Sequence, residues 1–301
     1  MTLRILLLGC SGQVGWELQR SLIPVGEVIG LDRSTNRAAD FSHPEVIATL
    51  LSDLRPQIIV NAAAHTAVDR AESEPEFARL LNATSVGVLA NYAAATGAWL
   101  LHYSTDYVFD GSGDEPRMED AHTGPLNVYG RTKLEGEELI RASGCLHLIL
   151  RTSWVYSVRG GNFAKTMLKL SREREYLTVI NDQIGAPTGA DFLADISAHM
   201  LREVFRLNDG GKALSGTYHV VAAGETSWHG YASHVIEYAR QLDQGLKVQS
   251  IDPVPSSAFP TAARRPMNSR MSTEKVRSAF GVNLPHWQVG VERMLQELLK
   301  S

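Results

Sequence analysis

The sequence predicts an α/β fold, a doubly wound parallel sheet carrying a smaller C-terminal part. Three observations predict it: short apolar runs recur through the first half, helical patterns separate them, and a glycine-rich turn follows the first run. Segments 3–8, 27–31, 57–61, 99–103 and 147–151 are near-continuous apolar stretches. They lack in/out alternation, as strands of a parallel sheet do when both faces are covered. Between them, 14–22, 44–54, 74–96 and 128–142 carry apolar residues at helical spacing. Strand–helix alternation of this kind builds a parallel sheet. Past residue 160 the rhythm weakens. Segments 162–172, 191–206, 227–242 and 289–299 read as helices, and 177–180 and 217–221 as further strands. Segment 252–272, rich in Pro, Arg and Ser, reads as loop.

Bulk properties narrow the function class. A chain of 301 residues, 44% hydrophobic and 21% charged, has the composition of an ordinary globular protein. A net charge of −4 without a basic run gives no footprint for nucleic acid, and no apolar stretch is long enough to span a bilayer. Segment 4–10 (RILLLGC) faintly resembles a lipoprotein signal, but its apolar run is shorter than a signal core. Cys10 and Cys145 cannot form a disulfide framework, and the ten histidines show no metal-type spacing. A cytoplasmic protein is expected.

Segment 9–15 (GCSGQVG) follows the first strand and opens the first helix. Gly9, Gly12 and Gly15 there allow a tight turn, close backbone approach to a pyrophosphate, and helix-on-strand packing. The helix N-terminus beneath offers free N–H groups to an anion. The sheet is therefore expected to be of the Rossmann type, binding a dinucleotide. Asp32 ends the second strand, where an acid would bind a ribose 2′-hydroxyl, and Arg33 beside it can accommodate a 2′-phosphate. The two pull in opposite directions, so NADPH and NADH both stay open, with a slight lean to NADPH.

Tyr129 and Lys133 stand four residues apart on a predicted helix, hence on one face. A cation beside a phenol lowers a pKa that starts near ~10 and makes the hydroxyl a usable acid. Alone, such a pair is common. Upstream, Thr105 ends the fourth strand, where ligands bind in parallel sheets. A threonine there can hold the carbonyl oxygen that Tyr129 protonates. Glycine turn, strand-end threonine and Tyr-x-x-x-Lys, in this order, form a joint signal far stronger than any part.

With these motifs the chain resembles the extended short-chain dehydrogenase/reductase family. Segments 61–69 (NAAAHTAVD), 102–109 (HYSTDYVF), 151–156 (RTSWVY) and 181–188 (NDQIGAPT) extend the likeness over nearly the whole chain, to a branch that reduces keto-deoxysugar nucleotides. The resemblance implies NADPH or NADH as cofactor, a dTDP-linked 4-keto sugar as substrate, and Thr105, Tyr129 and Lys133 as the catalytic residues. It places Gly12, Gln13 and Val14 on the pyrophosphate, Asp32 or Arg33 at the adenosine ribose, and Asp40 and Phe41 beside the adenine. Ala64, His65 and Thr66 would line the dinucleotide further in, and Lys133 would also hold the nicotinamide ribose. Thr105, Asp106 and Trp154 would touch the deoxysugar, and Arg265, within segment 264–270 (RRPMNSR), would meet the diphosphate. Sister dehydratases carry glutamate after the strand-end Thr-Asp, and Tyr107 stands there instead, which favours simple carbonyl reduction.

The resemblance further implies a homodimer and a magnesium ion held by Glu17, Asp191 and Glu297, although surface carboxylates are the ordinary reading of such residues. A non-catalytic relative, the regulatory subunit of methionine adenosyltransferase, shares the fold, so a binding protein is the competing class. The domain division expected is a dinucleotide-binding part at 1–160, rejoined by about 176–222, and a substrate-binding part at 161–175 and 223–301.

Overall fold

The computed structural model describes residues 3–207, 210–242 and 245–300. The first half alternates strands with helical segments: β1 (Arg4–Leu8), α1 (Gln13–Ser21), β2 (Glu27–Leu31), α2 (Pro44–Leu54), β3 (Ile58–Asn61), α3 (Val68–Ser73), α4 (Pro75–Arg79), α5 (Ser85–Thr96), β4 (Trp99–Thr105), α6 (Val128–Ser143) and β5 (His147–Thr152). Then come β6 (Val155–Tyr156), α7 (Phe163–Glu173), β7 (Tyr176–Ile180), β8 (Ile184–Gly185), β9 (Thr188–Gly189), α8 (Ala190–Arg206), β10 (Gly216–His219), β11 (Thr226–Ser227), α9 (Trp228–Leu242), β12 (Ser250–Val254), α10 (Glu274–Phe280) and α11 (Trp287–Lys300). No described helix is long and apolar enough to cross a membrane.

Six parallel strands stand in the order β10-β5-β4-β3-β1-β2. The apolar runs lack alternation because both sides of this sheet are buried. Ile5, Leu7, Val60, Leu101 and Leu150 pack on one face with Leu18 of α1 and Leu193 and Leu201 of α8. Leu6, Leu8, Ile59, Leu100 and Ile149 pack on the other with α2, α5 and α6. The chain leaves β1 in one direction to β2 and in the other to β3. At that switch point the strand ends open a crevice.

The predicted helix over 74–96 is one helical rod with a fault in it. Pro75 starts α4, and a π-turn at Leu80–Thr84 separates it from α5. The widened turn lets Asn82 reach sideways. Its Oδ1 accepts from His65 N–H at 2.8 Å, and its Nδ2 donates to His65 C=O and to Thr132 Oγ1. Gly136 permits the close approach of α6, since a Cβ there would lie 2.3 Å from the Asn82 carbonyl oxygen.

Two expectations for the second half are corrected. The 177–180 strand forms, but β7 pairs with β12 in a separate two-stranded sheet, so within 176–222 only α8 and β10 return to the main sheet. Segment 252–272 is not all loop either. Its first residues complete β12, where Pro253 is tolerated because the strand is an edge. This region has its own core, with Tyr156, Met167, Val179, Tyr231, Val235, Trp287 and Leu295 buried together.

Candidate active site

The carboxyl ends of five strands converge on one cleft of about 990 Å³. Its lining includes Gly9, Gly12, Gln13, Val14, Asp32, Arg33, Asp40, Phe41, Ala64, His65, Thr66, Thr105, Asp106, Tyr129, Lys133 and Trp154. Nearly every residue assigned to cofactor or catalysis from the sequence thus faces the same space. Gly15 lies beneath, in the first turn of α1.

The glycine turn is dictated by backbone contact. Gly9 holds φ +80°, and a Cβ there would lie 2.7–2.9 Å from the backbone of Ala62 and Ala63. A Cβ on Gly15 would sit 2.0 Å from the Gly9 carbonyl oxygen. The N-terminus of α1, beginning at Gln13, therefore faces the cleft without side chains in the way. Gln13 Oε1 accepts from Ser157 Oγ and Asn162 Nδ2, both at 3.3 Å, tying the turn to the loop before α7.

Asp32 is buried and its Oδ1 is already occupied. Ser34 N–H, Ser34 Oγ and Thr35 N–H donate to it at 2.8, 2.6 and 3.0 Å. The Ser11 and Ser34 hydroxyls and these amides hold its carboxyl far below the usual range. Arg33, by contrast, is exposed on the cleft rim. Asp40 caps its own turn by accepting from Ser42 N–H and Oγ, and Phe41 is buried with its ring in the cleft wall. Two buried polar atoms of lining residues, His65 Nδ1 and Thr152 Oγ1, have no partner in the protein. A cradle without Cβ atoms, a helix N-terminus and unpartnered polar atoms fit a dinucleotide.

Tyr129 stands in the first turn of α6, whose cap is well made: Asn127 Oδ1 accepts from Gly130 N–H at 2.8 Å. Gly130 lets this turn press on the 106–108 turn, since a Cβ would lie 2.2 Å from the Tyr107 carbonyl oxygen. Burial pushes the Tyr129 pKa up to about 12, against the lowering influence of the neighbouring Thr105 hydroxyl. Thr105 Oγ1 donates to Asp106 Oδ1 at 3.0 Å, and Ser269 Oγ closes on Asp106 Oδ2. Burial pushes the Asp106 carboxyl up to about 6. The Tyr107 ring packs edge-on against Tyr129, 5.5 Å between centroids, so no second acid stands there.

Lys133 corrects one expectation. It was expected to sit by the phenol and lower its pKa. Instead its Nζ donates to the Tyr103 carbonyl at 2.6 Å and lies 3.2 Å from His102 Nε2. Burial lowers the Lys133 pKa to about 8, against the raising influence of Glu137. Glu137, one turn on, is fully buried and accepts from Arg151 Nε and Nη2 at 2.9 and 2.7 Å and from Ser104 Oγ at 2.5 Å.

The remaining sequence candidates separate. Trp154 adopts the left-handed region, φ +48°, and stacks on Trp228 with centroids 3.7 Å apart and planes 14° from parallel. Gly185 makes room, because a Cβ there would meet the Trp154 ring at 2.9 Å. Trp228 is also a wall of a second cavity of about 1030 Å³, shared with Phe163, Met167, Phe259, Arg264 and Arg265. Arg265 reaches this cavity while paired with Asp69 at 2.7 Å. The sequence reading missed this cavity and Trp228 itself, as well as Asn82. Their only sequence signal is an aromatic residue opening a helix and a proline-started helix with no visible fault.

Glu17, Asp191 and Glu297 lie near one another. The charges of Asp191 and Glu297 help burial raise the Glu17 pKa, but Arg293 stands 3.6 Å from both Asp191 and Glu297. Among the described residues no group of three or more potential ligands is placed to hold a metal ion. Within one chain, the Arg293 guanidinium supplies a countercharge to this pair.

Comparison with known proteins agrees with this geometry. A family model described as the RmlD substrate binding domain matches residues 3–300. A dTDP-4-dehydrorhamnose reductase of Escherichia coli (strain K12) is 56% identical over 300 residues, covering 99% of each chain. The protein of that name from Burkholderia thailandensis is 44% identical over 301 residues, covering 99% of this chain and 100% of its own. Among solved structures, a dTDP-4-dehydrorhamnose reductase of Bacillus anthracis in complex with NADP superposes with a TM-score of 0.87 at 34% identity. It covers 99% of this chain and 100% of that one.

Proposed function

Because this chain belongs to the RmlD family of dTDP-4-dehydrorhamnose reductases, we propose that it reduces the C4 ketone of dTDP-4-dehydro-β-L-rhamnose to dTDP-L-rhamnose, the last step in making that sugar donor for lipopolysaccharide O-antigen. The observation that carries the reading is the shared wall. The cleft fitted to a dinucleotide and the cavity walled by Arg264 and Arg265 both include Trp228, whose ring stacks on Trp154. A sugar joining a nucleoside diphosphate in one space to a nicotinamide in the other would lie against this stack.

The bound nicotinamide supplies the hydride. The chain's own residues do the rest. Tyr129 gives its proton to the developing C4 alkoxide, and a phenol held protonated by burial is the right state for an acid. Thr105, beside Tyr129 and bonded to Asp106, orients that oxygen. Arg264 and Arg265 are the cations available to the diphosphate. Lys133, turned from the Tyr103 carbonyl, would hold the nicotinamide ribose.

NADPH is the favoured cofactor in this reading. Asp32 is satisfied by its own loop, which leaves Arg33 free to meet a 2′-phosphate. The working assembly in this reading is a cytoplasmic homodimer, and light scattering of the purified chain checks the oligomeric state. The decisive assay follows NADPH and NADH oxidation with enzymatically prepared dTDP-4-dehydro-β-L-rhamnose. Turnover with formation of dTDP-L-rhamnose is expected. Folded protein that binds the cofactor but turns over no such substrate would overturn the reading in favour of a regulatory role.

A further inference from the structure

Beneath the cleft, three fully buried side chains form a line: Asn61 at the end of β3, His102 on β4, and Lys133 on α6. Asn61 Nδ2 meets His102 Nδ1 at 3.0 Å, and His102 Nε2 meets Lys133 Nζ at 3.2 Å. The direction of these bonds is fixed from one end. Asn61 Oδ1 accepts from the Ala63 backbone N–H at 3.0 Å, so the amide nitrogen must be the group turned towards His102. An amide N–H donates, so His102 Nδ1 accepts and carries no proton. A neutral imidazole then bears its one hydrogen on Nε2, pointing at Lys133.

An ammonium has three N–H donors and no acceptor. Facing the Nε2–H of His102, it would set donor against donor in a dry site. Moving the ring hydrogen to Nδ1 only passes the conflict to Asn61, and flipping Asn61 passes it to Ala63 N–H. Every arrangement with an ammonium leaves one buried donor unmade. A neutral amine satisfies all four positions, donating to the Tyr103 carbonyl and accepting from His102. Double protonation of His102 is no escape, since burial and the Lys133 charge hold its pKa well below the ordinary value.

We propose that His102, locked in one tautomer by Asn61, lets Lys133 rest as a neutral amine above about pH 8 when no cofactor is bound, so that cofactor binding there draws one proton from solvent onto Lys133 Nζ. The second clause rests on the cofactor role given to the cleft above, and the first does not. Ribose hydroxyl oxygens and phosphates favour the ammonium once Nζ leaves His102. His102 is thus a positioning residue. It touches neither cofactor nor reacting atom but sets the protonation of the residue that would hold the nicotinamide ribose.

The other charged groups around Nζ leave the window clear. Glu137 and Tyr129 share its helix, Tyr103 lies on β4, Asp106 lies in the turn after it, and Arg151 on β5 neutralises Glu137. Burial pushes Tyr129 up to about 12 and Asp106 up to about 6, on either side of Lys133, which burial lowers to about 8. The sign follows. The bound state has the higher Lys133 pKa, so cofactor affinity is full below the resting value and falls as pH rises through it, by up to about tenfold per pH unit.

The first test uses the cofactor-free wild-type protein. Long-range ¹H–¹⁵N correlation of the imidazoles should find His102 protonated on Nε2, and an Nδ1–H form overturns the proposal. Titration calorimetry with NADPH near pH 9, in buffers of different ionisation enthalpy, should show uptake of nearly one proton, and zero uptake overturns the coupling. Absence of any cofactor binding would instead count against the reading of the cleft, with the tautomer still decided by the first experiment. Asn61→Asp should place an acceptor against Nδ1, reverse the tautomer and move the affinity midpoint up by about one pH unit. In a His102→Leu background that shift should collapse. A shift of equal size there is a direct charge effect and sinks the relay.

Discussion

The two halves of this molecule reach a packed core by different routes. The six-stranded sheet grows by repeated strand–helix units, each neighbour following within a few tens of residues, with β10 and α8 as late additions. The region behind Trp154 has three two-stranded sheets, β6-β9, β7-β12 and β8-β11, whose partners lie up to about seventy residues apart, around a buried aromatic group. The difference teaches a division of labour. Repetition places backbone ends, Gly9, Asp32, Thr105 and Thr152, on one line. Long-range pairing places individual side chains, Trp154, Trp228 and Arg265, around a cavity of particular shape.

If that division is right, changes in the first region should break chemistry or folding, and changes in the second should alter selection of substrate. The largest effect is expected from Tyr129→Phe, which removes the proton donor and leaves the cleft intact. Turnover should fall about 10²- to 10⁴-fold with cofactor affinity kept, read from steady-state rates beside fluorescence titration. Near-normal turnover would mean another group supplies the proton.

Glu137→Gln comes next and is read in stability. It leaves Arg151 buried without its countercharge, and urea unfolding at pH 7 should lose about 3–5 kcal/mol. Glu137 has a lowered pKa in the folded chain, so its contribution is present above the unfolded carboxylate value near ~4.3 and vanishes as pH falls through the folded one. Wild-type and variant stabilities should therefore converge in acid. Parallel curves down to pH 3 would show that the pair is not the cause.

Trp228→Ala tests the second region. It removes one face of the stack and a wall of both spaces, and should raise KM for the sugar nucleotide about 10- to 100-fold with a smaller effect on NADPH oxidation at saturation. An equal loss for cofactor and sugar would erase the proposed boundary between the halves. The smallest effect belongs to Arg33→Ala, an exposed rim residue. KM for NADPH should rise roughly three- to fivefold with KM for NADH unchanged. A parallel rise in both would assign discrimination elsewhere.

Legibility in the sequence follows the same boundary. Strands and helices of the sheet were readable to within a residue or two because parallel burial imposes continuous apolar runs, and strand ends then fall into one cleft by topology alone. The glycine turn was readable because only glycine tolerates φ +80° at Gly9 and the 2.0 Å approach at Gly15. The sheet partner of 176–180 was not, since an edge strand of five residues carries no mark of which distant segment it meets. Lys133 shows the limit at atomic scale. Helical spacing put it on the face of Tyr129, but the competition between a phenol and the Tyr103 carbonyl is settled by a backbone group that no side-chain pattern reveals. The π-turn at Asn82 escaped for a like reason, as it goes with a contact to His65 from another element.

The stacked pair of Trp154 and Trp228 makes the molecule its own reporter. Two indoles 3.7 Å apart and nearly parallel are close enough for their electronic transitions to couple, and one of them is held on a backbone conformation that only its surroundings maintain. Filling either neighbouring space changes the angle between them or the polarity around them. Near-ultraviolet circular dichroism and intrinsic emission should therefore register the arrival of sugar nucleotide and of cofactor as separate spectral changes, without a label and before any bond is made.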